Sequence, residues 1–130
     1  MSVTTESPAV AIARAHVEAW SNHDFEAARD GLAPDVQVTA LTTKPVMPAT
    51  NLSGIDNYMT GLRQFAQAVV PGSLEINASV GDERNALLMV TVQASFAPNT
   101  PPVPLPGARL YLLDEAGKIK VEQVVFLIPD

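Results

Sequence analysis

The sequence predicts a single α+β domain. Three observations carry this: helical apolar spacing dominates the first half of the chain, alternating apolar and polar residues fill the second half, and 47% of the 130 residues are hydrophobic. A chain of this length hides roughly two-thirds of its unfolded surface on folding, enough for one core. Residues 1–130 show no internal repeat and no second domain.

Ser7-Pro8 reads as a helix start. The serine hydroxyl can cap free N–H groups, and proline at the first helical position loses no hydrogen bond. Val10, Ala13, Val17 and Trp20 recur at helical spacing, with Ile12 and His16 in a second line that also meets Trp20. Arg14 and Glu18 lie on the wet side and can pair at i,i+4. The helix should stop near Ser21-Asn22. Asp24 can cap a second helix, from Phe25 to about Leu32, with Ala27, Ala28 and Leu32 as its apolar face. Pro34-Asp35 then opens a strand from Val36 to Leu41, in which Val36, Val38 and Ala40 share one face.

Thr42 to Leu52 reads as a loop containing Pro45 and Pro48. Ser53 and Asp56 resemble a capping box. The third helix follows, with Ile55, Tyr58, Met59, Leu62, Phe65, Ala66 and Val69 on one broad apolar face, until Pro71-Gly72 ends it.

The remainder reads as strands. Leu74, Ile76, Ala78 and Val80 alternate with polar residues, and Gly81-Asp82 turns the chain. Asn85 to Ala97 is a long strand with Leu88, Val90, Val92, Ala94 and Phe96 on its apolar side. Its other side, with Thr91 and Gln93, suits a dimer contact. Pro98 to Gly107 holds five prolines and reads as a stiff loop that cannot pair as a central strand. Ala108 to Leu113, the turn Asp114–Gly117, and Lys118 to Ile128 form a final hairpin. A long amphipathic helix across a bent antiparallel sheet leaves a cavity at one end, where a small molecule can bind.

Composition narrows the function. Eight basic against fourteen acidic residues give a net charge of −6, which repels nucleic acid and anionic membrane, so neither is an expected partner. The absence of cysteine excludes disulfides, thiolate nucleophiles and zinc–sulfur sites. Met1 to Pro8 lacks the basic start and apolar run of a signal peptide, and no apolar stretch approaches the ~20 residues that span a bilayer. The expectation is a cytoplasmic protein. His16 and His23 have no carboxylate at ligand spacing on a shared face, and no phosphate-binding glycine loop is present, so neither metal nor cofactor is expected.

Several segments together resemble a known superfamily. His16-Val17-Glu18-Ala19-Trp20-Ser21-Asn22-His23-Asp24-Phe25, running on through Leu32-Ala33-Pro34-Asp35-Val36, resembles the opening of the nuclear transport factor 2-like superfamily, which includes the SnoaL-like polyketide cyclases and ketosteroid isomerases. Ser53-Gly54-Ile55-Asp56-Asn57-Tyr58 is similar to the start of their third helix, and Gly117-Lys118-Ile119 to the start of their last strand. The resemblance implies a cone-shaped, cystatin-like α+β barrel: a curved antiparallel sheet wrapped around the N-terminal helix, three helices in all, a pocket at the open end, and commonly a homodimer. It does not carry over the isomerase chemistry. The tyrosine of that family's first helix corresponds to His16, the aspartate base to Ala40, and the late acid to Arg109. Alanine cannot remove a proton and arginine cannot serve as a neutral acid.

Candidate chemistry then rests on His16, Arg109, Tyr111 and Glu122. His16 sits on the inward helix face, where it can act as an acid or base, or simply be a hydrogen-bonded core histidine. A turn centred on Glu115-Ala116 places Arg109 opposite Glu122, on faces shared with Tyr111 and with Val124 and Phe126. That pair can serve a ligand, or it can be a structural salt bridge. Trp20, Val38, Ala40, Tyr58, Leu62, Phe65, Val124 and Phe126 are the expected pocket walls, with Phe96 a further ring.

Two functional readings follow. One is a cofactor-independent enzyme for cyclisation, isomerisation or dehydration of a small apolar carbonyl compound of polyketide or steroid type. There His16 and Glu122 move protons while Arg109 and Tyr111 hold a developing enolate oxygen. The other is a non-catalytic ligand-binding or dimerisation module. An epoxide hydrolase would need an arginine and two carboxylates around a water, and Glu122 is the one clear inward acid.

Overall fold

The computed structural model describes residues 6–44, 49–95 and 97–128, so Pro45, Pro48 and Phe96 lie outside the described residues. Three helices precede or interrupt six strands: α1 Pro8–Ser21, α2 Phe25–Asp30, β1 Leu32–Thr42, β2 Thr50–Ser53, α3 Ile55–Ala66, β3 Glu75–Gly81, β4 Asn85–Ala94, β5 Val103–Leu113 and β6 Ile119–Phe126. The strands form one curved, unclosed sheet in the order β2-β1-β6-β5-β4-β3. It is mixed, because β1 runs parallel to β6 while the other neighbours are antiparallel. Together with the helices it makes the expected cystatin-like α+β cone.

The helix starts follow local chemistry. Ser7 Oγ accepts from Val10 N at 3.2 Å, ahead of Pro8, and Asp24 Oδ1 accepts from Ala27 N at 3.2 Å. The expected cap of α3 does not form. Gly54 is its N-cap at φ 88°, a left-handed conformation that favours glycine, and Asp56 instead pairs with Arg29 at 2.9 Å. Ala9, Val10, Ala13, Val17 and Trp20 bury one stripe of α1 against the sheet. Tyr58, Met59, Leu62 and Ala66 do the same for α3, with Val69 buried just beyond it.

Four expectations change once strands find partners. α2 ends at Asp30 rather than Leu32, because Leu32 is taken into β1 opposite Ile119. The supposed loop before α3 contains β2, an exposed strand that pairs antiparallel with β1. Within β3, a register shift between Ile76 and Ala78 breaks the alternation, so Ala78 and Val80 face solvent. The proline loop is shorter than expected, because Val103 to Gly107 pairs with β4, Pro104 opposite Gln93 and Pro106 opposite Thr91. The Pro106 carbonyl accepts from Leu127 N, so the edge of Pro106 that lacks an N–H faces away from β4. Pro104 has the same orientation, past the last residue of β6, where no ladder bond is required of it.

β3 and β4 meet tightly beneath α1. A Cβ on Gly81 would lie 2.3 Å from Asn85 O and 2.9 Å from Val10 Cγ2. Gly81→Ala is expected to lower unfolding free energy by about 1–3 kcal/mol through overpacking. Urea denaturation checks it, and an unchanged midpoint would contradict the tight approach.

Candidate functional site

The inward faces of β5 and β6 carry polar groups into an otherwise apolar cone. Alternation along β5 turns Leu105, Arg109, Tyr111 and Leu113 inward, and along β6 it turns Glu122, Val124 and Phe126 inward. The register differs from expectation. Tyr111 stands opposite Glu122 and Arg109 opposite Val124, with a shift between Leu112 and Leu113 at the hairpin end. Arg109 and Glu122 therefore meet diagonally on one face, with Arg109 Nη1 3.6 Å from Glu122 Oε2. They are 4% and 3% exposed, so the pair is a buried one and is little screened by solvent.

Three rings surround the Arg109 guanidinium. Its Cζ lies 4.7 Å from the Trp20 ring centroid, 5.6 Å from that of Phe126 and 5.8 Å from that of Phe65. These faces replace part of the hydration that burial removes. Burial works against the guanidinium charge, but Tyr111 and Glu122 outweigh it, so the group is held more firmly protonated than usual. Trp20 Nε1, Arg109 Nε, the Tyr111 hydroxyl and Glu122 Oε2 are buried without a well-formed hydrogen bond.

A second feature joins three elements far apart in sequence. His16 of α1 contacts the Ala28 carbonyl through Nδ1 at 3.0 Å and the Tyr58 hydroxyl through Nε2 at 2.9 Å. Tyr58, on α3, donates to Glu122 Oε1 at 2.7 Å. Burial is the largest influence on His16 and pushes it below its ordinary value. Glu122 and the Ala28 carbonyl pull it upward, and Arg109 adds to the depression. Burial, followed by the charge of Glu122, pushes the Tyr58 hydroxyl well above its ordinary value, so it remains a phenol.

The pocket beside this cluster has a volume of about 470 Å³. Val38, Ala40, Leu62, Phe65, Val124 and Phe126 contribute apolar wall, Thr50 and Leu52 of β2 complete one side, and Tyr58, Arg109 and Glu122 supply polar atoms. The expected wall residues therefore come together, except for Trp20, which is fully buried behind Phe65 with ring centroids 5.6 Å apart. Two expected chemical residues do not reach the pocket. His16 touches it only through Tyr58, and Tyr111 is buried behind the wall, its ring 6.0 Å from that of His16. Sequence reasoning gave Tyr58 a wall position and missed its link between His16 and Glu122. The available signal was a hydroxyl-bearing ring on the inward face of an amphipathic helix, where a core position favours phenylalanine.

The profile of the SnoaL-like domain matches residues 13–122. No curated protein matches the sequence. Among solved structures, a protein of Kribbella flavida is similar at 22% identity and a TM-score of 0.75, over 93% of this chain and 88% of its own. A Mycobacterium tuberculosis protein in complex with estradiol-17β-hemisuccinate is similar at 15% identity and a TM-score of 0.75, over 92% of this chain and 93% of its own. An LEH-like epoxide hydrolase of the same organism is similar at 20% identity and a TM-score of 0.69, over 92% of this chain and 82% of its own. At these identities the structures share the fold with this chain.

The two buried tyrosines should respond differently to loss of the hydroxyl. Tyr58→Phe strands His16 Nε2 and Glu122 Oε1 and is expected to cost about 1–3 kcal/mol of stability. Tyr111→Phe removes a hydroxyl that makes no well-formed hydrogen bond but lies beside Arg109 and Glu122, and is expected to cost less than Tyr58→Phe. Equal losses in urea denaturation would show that the Tyr58 bridge is not what holds these groups.

Proposed function

The chain belongs to the SnoaL-like domain family, and on that premise we propose that it is a cofactor-independent enzyme moving protons on a small apolar carbonyl compound. The observation that carries the proposal is the pocket: about 470 Å³, walled mainly by apolar side chains, with one carboxylate and one guanidinium at its polar end. Glu122 is the group that exchanges a proton with the substrate, and Arg109, backed by Tyr111, stabilises oxygen charge as it develops. A rigid polycyclic or polyketide-like ketone suits such a cavity, because flat hydrocarbon fills the walls while a single oxygen meets the arginine. The steroid derivative bound by the Mycobacterium tuberculosis protein of the same fold supports that ligand class. Cyclisation, isomerisation and dehydration all need a proton placed or removed beside a carbonyl. Polyketide cyclisation is one such case.

A cytoplasmic homodimer belongs to the same reading. Thr91 and Gln93, on the outward face of β4, are its proposed contact. An epoxide hydrolase is less well supported, because among the described residues Glu122 is the only buried carboxylate. A non-catalytic ligand-binding module is the second reading, favoured by the direct pairing of Arg109 with Glu122, which can persist without any reaction.

Turnover separates the two. With steroid and polyketide-type ketones as substrates, Glu122→Gln is expected to lower kcat by about 10²–10⁴-fold while the ligand still binds. Binding by both proteins with turnover by neither would favour the binding module. Undiminished turnover by the variant would remove Glu122 from the mechanism.

A further inference from the structure

The chain His16–Tyr58–Glu122 cannot be satisfied by a neutral imidazole and an ionised carboxylate together. The Ala28 carbonyl can only accept, so His16 Nδ1, 3.0 Å away, carries a proton. In a neutral ring this leaves Nε2 as a bare acceptor, 2.9 Å from the Tyr58 oxygen. On the other side of that oxygen, at 2.7 Å, Glu122 Oε1 also only accepts when ionised. Tyr58 has one proton and two acceptors to serve. Whichever it chooses, two lone pairs face each other at hydrogen-bond distance in a buried site, at the cost of an unmade buried bond.

One more proton removes the conflict, in either of two arrangements. His16 can be an imidazolium, donating through Nε2 to Tyr58, which donates to an ionised Glu122. Alternatively Glu122 carries the proton and donates to Tyr58, which donates to a neutral His16. The two interconvert when the Nε2 proton passes to the Tyr58 oxygen as the Tyr58 proton passes to Glu122 Oε1. No other atom gains or loses a proton.

We propose that the resting protein holds this additional proton, shared between His16 and Glu122 through Tyr58, which makes His16 a positioning and proton-supplying residue for Glu122. It rests on the reading of Glu122 as the group that exchanges a proton with substrate. Delivery of the shared proton leaves the conflicted arrangement behind, and that favours recovery of a proton from a second position on the substrate. The substrate then gains one proton and loses one, which is the balance of an isomerisation.

Among the described residues, Tyr58 is the one well-formed hydrogen-bond donor to Glu122, at Oε1, while Oε2 faces Arg109 Nη1 at 3.6 Å, so the protons of this chain have no other hydrogen-bonded route to Glu122. The groups facing the chain are Arg109 and Tyr111 of β5, Tyr58 of α3, Glu122 of β6 and the Ala28 carbonyl of α2. Burial, the largest influence, and Arg109 oppose an imidazolium, whereas Glu122 favours one.

The test needs no substrate, so it can fail independently of the proposed reaction. Nitrogen NMR of isotope-labelled histidine reads His16, and infrared difference spectra of isotope-labelled glutamate read Glu122, both on the unliganded protein at neutral pH. The expected result is either a doubly protonated His16 or a protonated Glu122 carboxyl. Glu122→Gln supplies an amide donor to Tyr58 and is expected to leave His16 neutral with Nδ1 protonated. Tyr58→Phe is expected to lose the extra proton, giving a neutral His16 beside an ionised Glu122. That same neutral–ionised combination in the unmodified protein would overturn the proposal, and this measurement decides even where a variant does not fold.

Discussion

A carboxylate and a guanidinium buried in one apolar cone set the terms for everything around them. Neither ion is stable there alone, and their mutual attraction does not repay desolvation unless further groups take part. Arg109 therefore lies among the rings of Trp20, Phe65 and Phe126, which present electron-rich faces where water would otherwise stand. Glu122 takes its hydrogen bond from Tyr58, and Tyr58 is in turn held by His16. Each of the three helices contributes to this arrangement: α1 supplies His16 and Trp20, α2 supplies the Ala28 carbonyl, and α3 supplies Tyr58 and Phe65.

The sheet topology makes that convergence possible. β6 lies in the middle of the sheet, between β1 and β5, so its inward residues sit deep in the cone. The parallel pairing of β1 with β6 sets Val38 opposite Glu122 and Ala40 opposite Val124, which lines the pocket with small and branched side chains next to the carboxylate. Ala40 contributes only a methyl group to the pocket wall. β2, exposed and short, adds Thr50 and Leu52 as a second wall. The cavity is thus the space that α3 and the sheet leave unfilled, and its polar end lies where α1, α3, β5 and β6 meet.

Much of this was legible without coordinates. The helix starts at Ser7-Pro8 and Asp24 follow from side chains that bond their own backbone within three residues. The inward positions of His16, Arg109 and Glu122 follow from period alone, because a 3.6-residue or two-residue repeat fixes which face a residue shares. Where alternation failed, a neighbour was responsible. The bulge in β3 turned Val80 outward. The end of β6 gave Pro104 and Pro106 an edge where a missing N–H costs nothing. Capture of Leu32 by Ile119 shortened α2.

The sequence by itself determined the starts of α1 and α2 and the inward faces of α1, α3, β4 and β6, since these depend on contacts within a few residues. Tertiary structure alone decided the partners. Tyr58 stands 42 residues from His16 and 64 from Glu122, and no local period relates those positions. The hairpin register that sets Tyr111 opposite Glu122, leaving Arg109 to meet it diagonally, depends on an irregularity at Leu112–Leu113. These long-range choices place His16 behind Tyr58 and leave Glu122 and Arg109 at the pocket, because only one layer of side chains can touch the cavity once the helices are packed.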